Sequence, residues 1–186
     1  MKPNEKTVRQ RSKFLSLVLR HQPASIGIQL DREGWTNIEI LLIQMSKHRQ
    51  KMSFGELLYV VENNDKKRFQ FSDDGQKIRA VQGHSSTQVQ RDYLPLTPPD
   101  PLYHGTATRF VDSILQQGLI AGSRHHVHLS ADLVTATKVG QRHGKVLIFR
   151  IDTIKMQQDG YSFFQAENGV WLTEHVPTHY LTQIID

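Results

Sequence analysis

Four of the chain's seven prolines, Pro95, Pro98, Pro99 and Pro101, crowd into residues 95–101. Each ring removes a backbone donor and fixes φ, so neither a helix nor a sheet interior can run through them. The Ser-, Thr- and Gln-rich run before them adds turn formers. Residues 83–101, GHSSTQVQRDYLPLTPPDP, therefore read as an exposed linker. The 186-residue chain then divides into two small domains, 1–92 and 93–186.

Charge divides at the same place. Residues 1–92 hold 16 Lys/Arg against 10 Asp/Glu, a net of +6, and residues 93–186 hold 7 against 8, a net of −1. Seven of the ten histidines lie in the second part. A basic domain beside a neutral one points to a polyanion such as nucleic acid, although surplus lysine also serves solubility alone. The absence of cysteine excludes a disulfide framework and a thiolate metal site. No apolar run reaches the 18 residues that a membrane-spanning helix needs, and the charged N-terminal sequence carries no secretion signal. The expectation is a cytoplasmic monomer with no membrane partner.

The first part reads as three helices and a hairpin. Phe14, Leu15, Val18 and Leu19 form one helical face that stops near Pro23. Thr36–Glu39 and Ser53–Glu56 carry capping-box spacing ahead of two further apolar helices. Residues 68–72 and 76–81 alternate at period two around Asp73-Asp74-Gly75, which predicts a hairpin with Phe69, Phe71, Ile78 and Ala80 inward and Arg68, Lys77 and Arg79 on an open face. Helices followed by a basic hairpin describe a winged helix. In the second part, strands are predicted at 102–104, 126–130, 145–151, 161–165, 169–173 and 180–185. Helices are predicted at 107–117, closed by Gly118, and 132–142, closed by Gly144. The fold class is α+β, the second lobe having a split β-sheet.

Several constellations carry chemistry. Arg20-His21 at a helix end pairs a permanent, planar cation with a group that titrates near neutrality, which suits an anion; it also suits the C-terminal helix dipole alone. Arg68 opens the hairpin within a basic run that could equally be a solvated patch. His104-Gly105-Thr106 and His128-x-Ser130 offer hydrogen bonds to ribose hydroxyls or an amide, with glycine allowing close approach. Arg124 stands at the rim of that set. His126 and His128 with His104 or His143 would suit zinc, but no carboxylate is spaced to complete or orient the shell, so no metal is assigned. Neither GxGxxG nor GxxxxGK[ST] occurs, which excludes the Rossmann and P-loop modes of nucleotide binding.

At these residues the chain resembles the RNA 2′-phosphotransferases. The matching segments are Leu15–Pro23, Asp31–Trp35, Lys67–Phe69, Leu102–Thr106, Arg124–Ser130, Val139–Gly144 and Asn168–Thr173, in family order and spacing. The resemblance implies an N-terminal winged-helix, RNA-binding lobe and a C-terminal ADP-ribosyltransferase-like lobe. It implies an Arg-His-Arg-Arg active site at Arg20, His21, Arg68 and Arg124. It also implies NAD, used as a co-substrate, held around His104, Gly105, Thr106, His128 and Ser130, with Arg142, Gly144 and Val170.

The implied partner is RNA bearing an internal 2′-phosphate, as at a tRNA splice junction. The phosphate would attack the nicotinamide ribose C1″, and the ribose O2″ would then attack the phosphate. The products are 2′-OH RNA, ADP-ribose 1″,2″-cyclic phosphate and nicotinamide. Many ADP-ribosyltransferases have a glutamate where this chain has Val170; a carboxylate there would repel an anionic acceptor. Two other readings fit the residues: a transferase that stops at the ADP-ribosylated acceptor, and a winged-helix nucleic-acid-binding protein that only senses NAD.

Overall fold

The computed structural model describes residues 4–184. Two compact units divide the chain, Met1–Asp92 and Tyr93–Asp186. Helix and sheet mix in both, as the α+β class requires.

In the first unit, α1 (Glu5–Arg20) starts at Asn4, whose side chain accepts a hydrogen bond from the Thr7 N–H. Leu15, Val18 and Leu19 recur at helical spacing and are fully buried, while Leu17 between them faces outward and is exposed. A short 3₁₀ turn, Pro23–Ile26, follows. β1 (Thr36–Asn37) leads into α2 (Ile38–Lys47). The cap of α2 is Asn37, which accepts from Ile40 N–H at 3.0 Å, and not Thr36. Thr36 is taken up by the sheet, paired with Ile78. α3 (Phe54–Glu62) opens with the full reciprocal box of Ser53 and Glu56.

β2 (Phe69–Phe71) and β3 (Lys77–Ala80) form the hairpin, and the antiparallel sheet has order β1-β3-β2. Gly75 at φ +68° and the Asp74 side chain, which accepts from Ser72 Oγ and Gln76 N, build its turn. Phe69, Ile78 and Ala80 face the core as alternation predicts, and Phe71 packs partly against it. Arg79 does not lie on an open face. It is buried, with its guanidinium 4.3 Å from the centre of the Trp35 ring, 3.4 Å from a Glu33 carboxylate oxygen and bonded to Gln70. An aromatic face and a carboxylate brought from the Asp31–Trp35 turn satisfy it there. Asp31 shapes that turn by accepting from Glu33 N and Trp35 N.

In the second unit, β4 (Leu102–Ala107) runs further than residues 102–104. A 3₁₀ turn, α4 (Val111–Gln117), the closing Gly118 and β5 (Leu119–Ile120) follow. Then come β6 (Val127–Leu129), α5 (Leu133–Gly140) with a 3₁₀ turn Gln141–His143, β7 (Val146–Ile151) and α6 (Thr153–Gln158). β8 (Phe164–Gln165), β9 (Trp171–Thr173), β10 (His175–Val176) and β11 (Leu181–Ile184) complete it. Residue 185 of the expected last strand lies outside the described residues. The sheets are β11-β7-β4, β6-β9-β8 and the pair β10-β5, all antiparallel. Leu102, Phe149, Ile151 and Met156 centre the core. β5, β10 and α6 were not expected, since elements this short carry no readable period.

The stretch 83–101 is an exposed linker only in part: residues 94–97, 99 and 100 are exposed, whereas its first half is packed. His84, Ser86 and Val89 are buried in the first unit, where Gln88 Oε1 accepts from Leu30 N and Gln90 N donates to Arg32 O. In the second unit, Leu96 N donates to Phe163 O and Asp100 accepts from the Thr153 N–H and hydroxyl. Polar side chains bonded to backbone hold what composition suggested was loose. Among the described residues no helix is long and apolar enough to cross a membrane.

Candidate active site

Arg20 is the last residue of α1, and His21 caps it, its N–H donating to Leu17 O. The Arg20 carbonyl, left without a helical partner, accepts from Ser85 N at 2.9 Å and Ser86 N at 3.1 Å. The Ser85 hydroxyl lies 2.8 Å from His21 Nδ1. Gly83, at φ +85°, faces the Arg20 side chain, whose nearest guanidinium nitrogen would stand 3.6 Å from an added Cβ.

Arg68 sits just before β2. Its Nη1 donates to Asn64 Oδ1 at 3.3 Å, and the Asn64 amide donates to Ser12 Oγ of α1 at 3.1 Å. Asn64 is buried, so one amide ties the arginine to the helix that carries Arg20 and His21. Lys67 adopts φ +41° to deliver the chain there. Asn64→Ala is expected to cost about 1–3 kcal/mol, because the buried Ser12 hydroxyl loses its amide partner; the urea midpoint measures it.

In the second unit, two backbone hydrogen bonds, Tyr103 N to Ser130 O and Ser130 N to Tyr103 O, join β4 to the end of β6. His104 Nδ1 lies 3.1 Å from the His128 carbonyl, and Arg124 Nη1 lies 2.9 Å from His128 Nδ1. A carbonyl only accepts and a guanidinium only donates, so both tautomers follow. His104 keeps its proton on Nδ1 and offers Nε2 as an acceptor, whereas neutral His128 offers Nε2–H as a donor. The β6–β9 register ends at Leu129–Trp171, which sets Val170 in the next position, opposite Ser130. Gly144, at φ +133°, lies beside Ala107 at the end of β4. Arg142 is exposed on the 3₁₀ turn that joins α5 to β7. His126 instead packs edge-on against Tyr93 and Phe164. Among the described residues no group of three or more His, Cys, Asp or Glu is placed to hold a metal ion.

Gly105 has a different reason from the one its sequence neighbours suggested. A Cβ there would lie 1.8 Å from the Ala136 carbonyl oxygen of α5. On α5, Gly140 answers it: its Cβ would meet Thr106 O at 2.8 Å. The glycines let helix and strand touch. Period two then turns His104 and Thr106 to the opposite face of β4.

Burial pushes the His104 pKa below its ordinary value, reinforced by the charges of His143 and Arg124 and opposed by its bond to the His128 carbonyl. Burial also lowers the pKa of Arg124, which still stays charged at neutral pH. The unfolded chain takes up a proton at His104 near pH 6.5, and the folded chain only at lower pH. Stability is therefore lost as pH falls from about 6.5 toward the lower folded value. Melting scans of the wild type and His104→Asn between about pH 7.5 and 5 should show the smaller acid loss in the variant.

All twelve residues singled out from sequence are now placed: Arg20, His21 and Arg68 at the α1 end and hairpin root of the first unit, the other nine on or beside β4, β6, β9 and α5 of the second. Sequence reasoning missed Asn64 and Ser85. Ser85 lies far along the chain from His21, and Asn64, although near Arg68, lies far from the Ser12 hydroxyl to which it ties that arginine.

The model of the RNA 2′-phosphotransferase, Tpt1 / KptA family matches residues 6–175. The chain is 53% identical to a probable RNA 2′-phosphotransferase of Pseudomonas fluorescens over 96% of its own length and 98% of the relative. A protein of the same description from Pseudomonas aeruginosa is 53% identical, covering 97% of this chain and 99% of the relative. Another from Escherichia coli O139:H28 is 54% identical, covering 97% and 98%. The chain belongs to the RNA 2′-phosphotransferase family.

Proposed function

We propose that this protein is an NAD-dependent RNA 2′-phosphotransferase, with a winged-helix RNA-binding lobe and an ADP-ribosyltransferase-like lobe. The observation that carries the reading is the family match, which spans both units from residue 6 to residue 175.

Arg20 and Arg68 of the first unit, and Arg124 of the second, each supply planar bidentate donors suited to a 2′-phosphate and its neighbouring phosphodiester. The donor set of the second unit fits a dinucleotide. His104 offers an acceptor and His128 a donor, a complementary pair for ribose hydroxyls or a carboxamide. Thr106, Ser130 and the backbone at Gly105, Gly144 and Val170 extend that set, while Arg142 offers positive charge for a pyrophosphate. NAD, as co-substrate, supplies an electrophilic ribose C1″ with nicotinamide as the leaving group.

A phosphate oxygen forms the bond to C1″ as the bond to nicotinamide breaks. The adjacent O2″ hydroxyl then attacks phosphorus and gives up its proton, and the RNA O2′ leaves and takes one. That balance yields 2′-OH RNA and the 1″,2″-cyclic phosphate. His21 is the one member of the Arg-His-Arg-Arg set able to move a proton near neutral pH, so it takes the proton transfers of the second exchange.

The test is incubation with NAD and a short 2′-phosphorylated RNA. The phosphate should leave the RNA while nicotinamide and the cyclic phosphate accumulate, and Arg68→Ala should abolish both. An RNA that keeps its phosphate with NAD present would overturn the proposal.

A further inference from the structure

We propose that Ser85 is a positioning residue that fixes the tautomer of His21, a role that rests on the proton-transfer function proposed for that histidine. The observation is geometric: Ser85 Oγ stands 2.8 Å from His21 Nδ1. The serine does not reach it by chance of rotamer. Its own backbone N–H and that of Ser86 both donate to the Arg20 carbonyl, at 2.9 and 3.1 Å, so the loop is fastened to the residue that precedes His21. Behind it, His84 and Ser86 are buried and Val89 joins the hydrophobic core.

An imidazole that takes and returns a proton at Nε2 must keep Nδ1–H in both charge states. Neutral imidazole side chains in water favour the other tautomer, with the proton on Nε2 and no basic lone pair there. An acceptor at Nδ1 reverses that preference. A serine hydroxyl can accept from Nδ1–H whether the ring is neutral or charged, whereas donating to Nδ1 works only in the neutral state. In the accepting direction proposed here, Ser85 leaves Nε2 as the working nitrogen throughout the cycle. A hydroxyl does this without the negative charge that a carboxylate would bring beside an anionic substrate.

The test uses the full-length chain with ¹⁵N-labelled histidine and reads the His21 ring by long-range ¹H–¹⁵N correlation, the signals being identified by their loss in His21→Ala. Wild type should show the Nδ1–H tautomer, Ser85→Ala should shift toward Nε2–H, and Ser85→Thr should restore the wild-type pattern. In quenched single turnovers, Ser85→Ala should slow the second exchange by about tenfold or more. Nicotinamide release should stay within about twofold, and Ser85→Thr should recover the rate. A Ser85→Ala ring that keeps the wild-type tautomer, or equal slowing of both exchanges, would overturn the role. Failure of the wild type to release nicotinamide would instead sink the proposed function. The spectra would still decide whether Ser85 governs the His21 ring.

Discussion

His21→Ala is expected to stop the reaction after the first exchange, leaving RNA that carries ADP-ribose on its 2′-phosphate. In the proposed reaction the first exchange needs no base, because the attacking phosphate is already an anion and nicotinamide leaves as a neutral molecule. The second needs a proton taken from O2″ and one delivered to O2′. The arginines of the proposed set can offset charge in such a step, but a guanidinium does not give up a proton in this range. Loss of a positioned acid–base group costs about 10²–10⁴-fold, or about 3–5 kcal/mol of barrier. Mass spectrometry of quenched single turnovers reads the outcome directly. Nicotinamide release that fell together with phosphate removal, with no adduct, would assign His21 to the first exchange instead.

Gly105→Ala should have the largest effect on folding. The added carbon would sit 1.8 Å from a backbone carbonyl oxygen and 2.6 Å from its carbon, and neither can rotate aside as a side chain does. Ala136, which owns that carbonyl, is fully buried, and Gly140 one turn on is itself in tight approach to Thr106. Relief requires α5 to move off β4. The expected loss is about 3 kcal/mol or more, since overpacking against backbone is the costly end of its class. For a unit of this size that lowers Tm by on the order of 10–20 °C. Calorimetry on the full chain measures it, with Gly55→Ala as the control. Gly55 lies in α3 with open space around it, so alanine there should be neutral or stabilising by up to about 1 kcal/mol.

What was legible in the sequence was local. The buried stripe of α1, the Ser53–Glu56 box and the hairpin turn at Gly75 each depend on residues within one or two turns of each other, and each stands where it was read. The second unit's helices before Gly118 and Gly144 are present but shorter than read: α4 begins at Val111 because residue 107 belongs to β4, and α5 gives way to a 3₁₀ turn after Gly140. Arg79 was misplaced because its partners, Glu33 and Trp35, lie more than forty positions earlier, so the alternation rule could place its strand but not its partners. The same limit hid Asn64, bonded across 52 positions to Ser12, and Ser85, across 64 to His21. Glycine at 105 was legible as a requirement but not as a reason, since only the folded helix shows what fills the space.

The fastening of residues 83–92 carries a consequence for how the first unit can be cut. A fragment ending at Val81 would contain every helix of the unit, its whole sheet, and Arg20, His21 and Arg68. It would lack the strap that closes over the end of α1, seals the core with Val89 and engages Leu30 and Arg32. The smallest piece that preserves the surroundings of His21 therefore runs well past the sheet, through Ser85 and Ser86 to the Val89 and Gln90 that anchor them, and the end of α1 is assembled only when that strap is present.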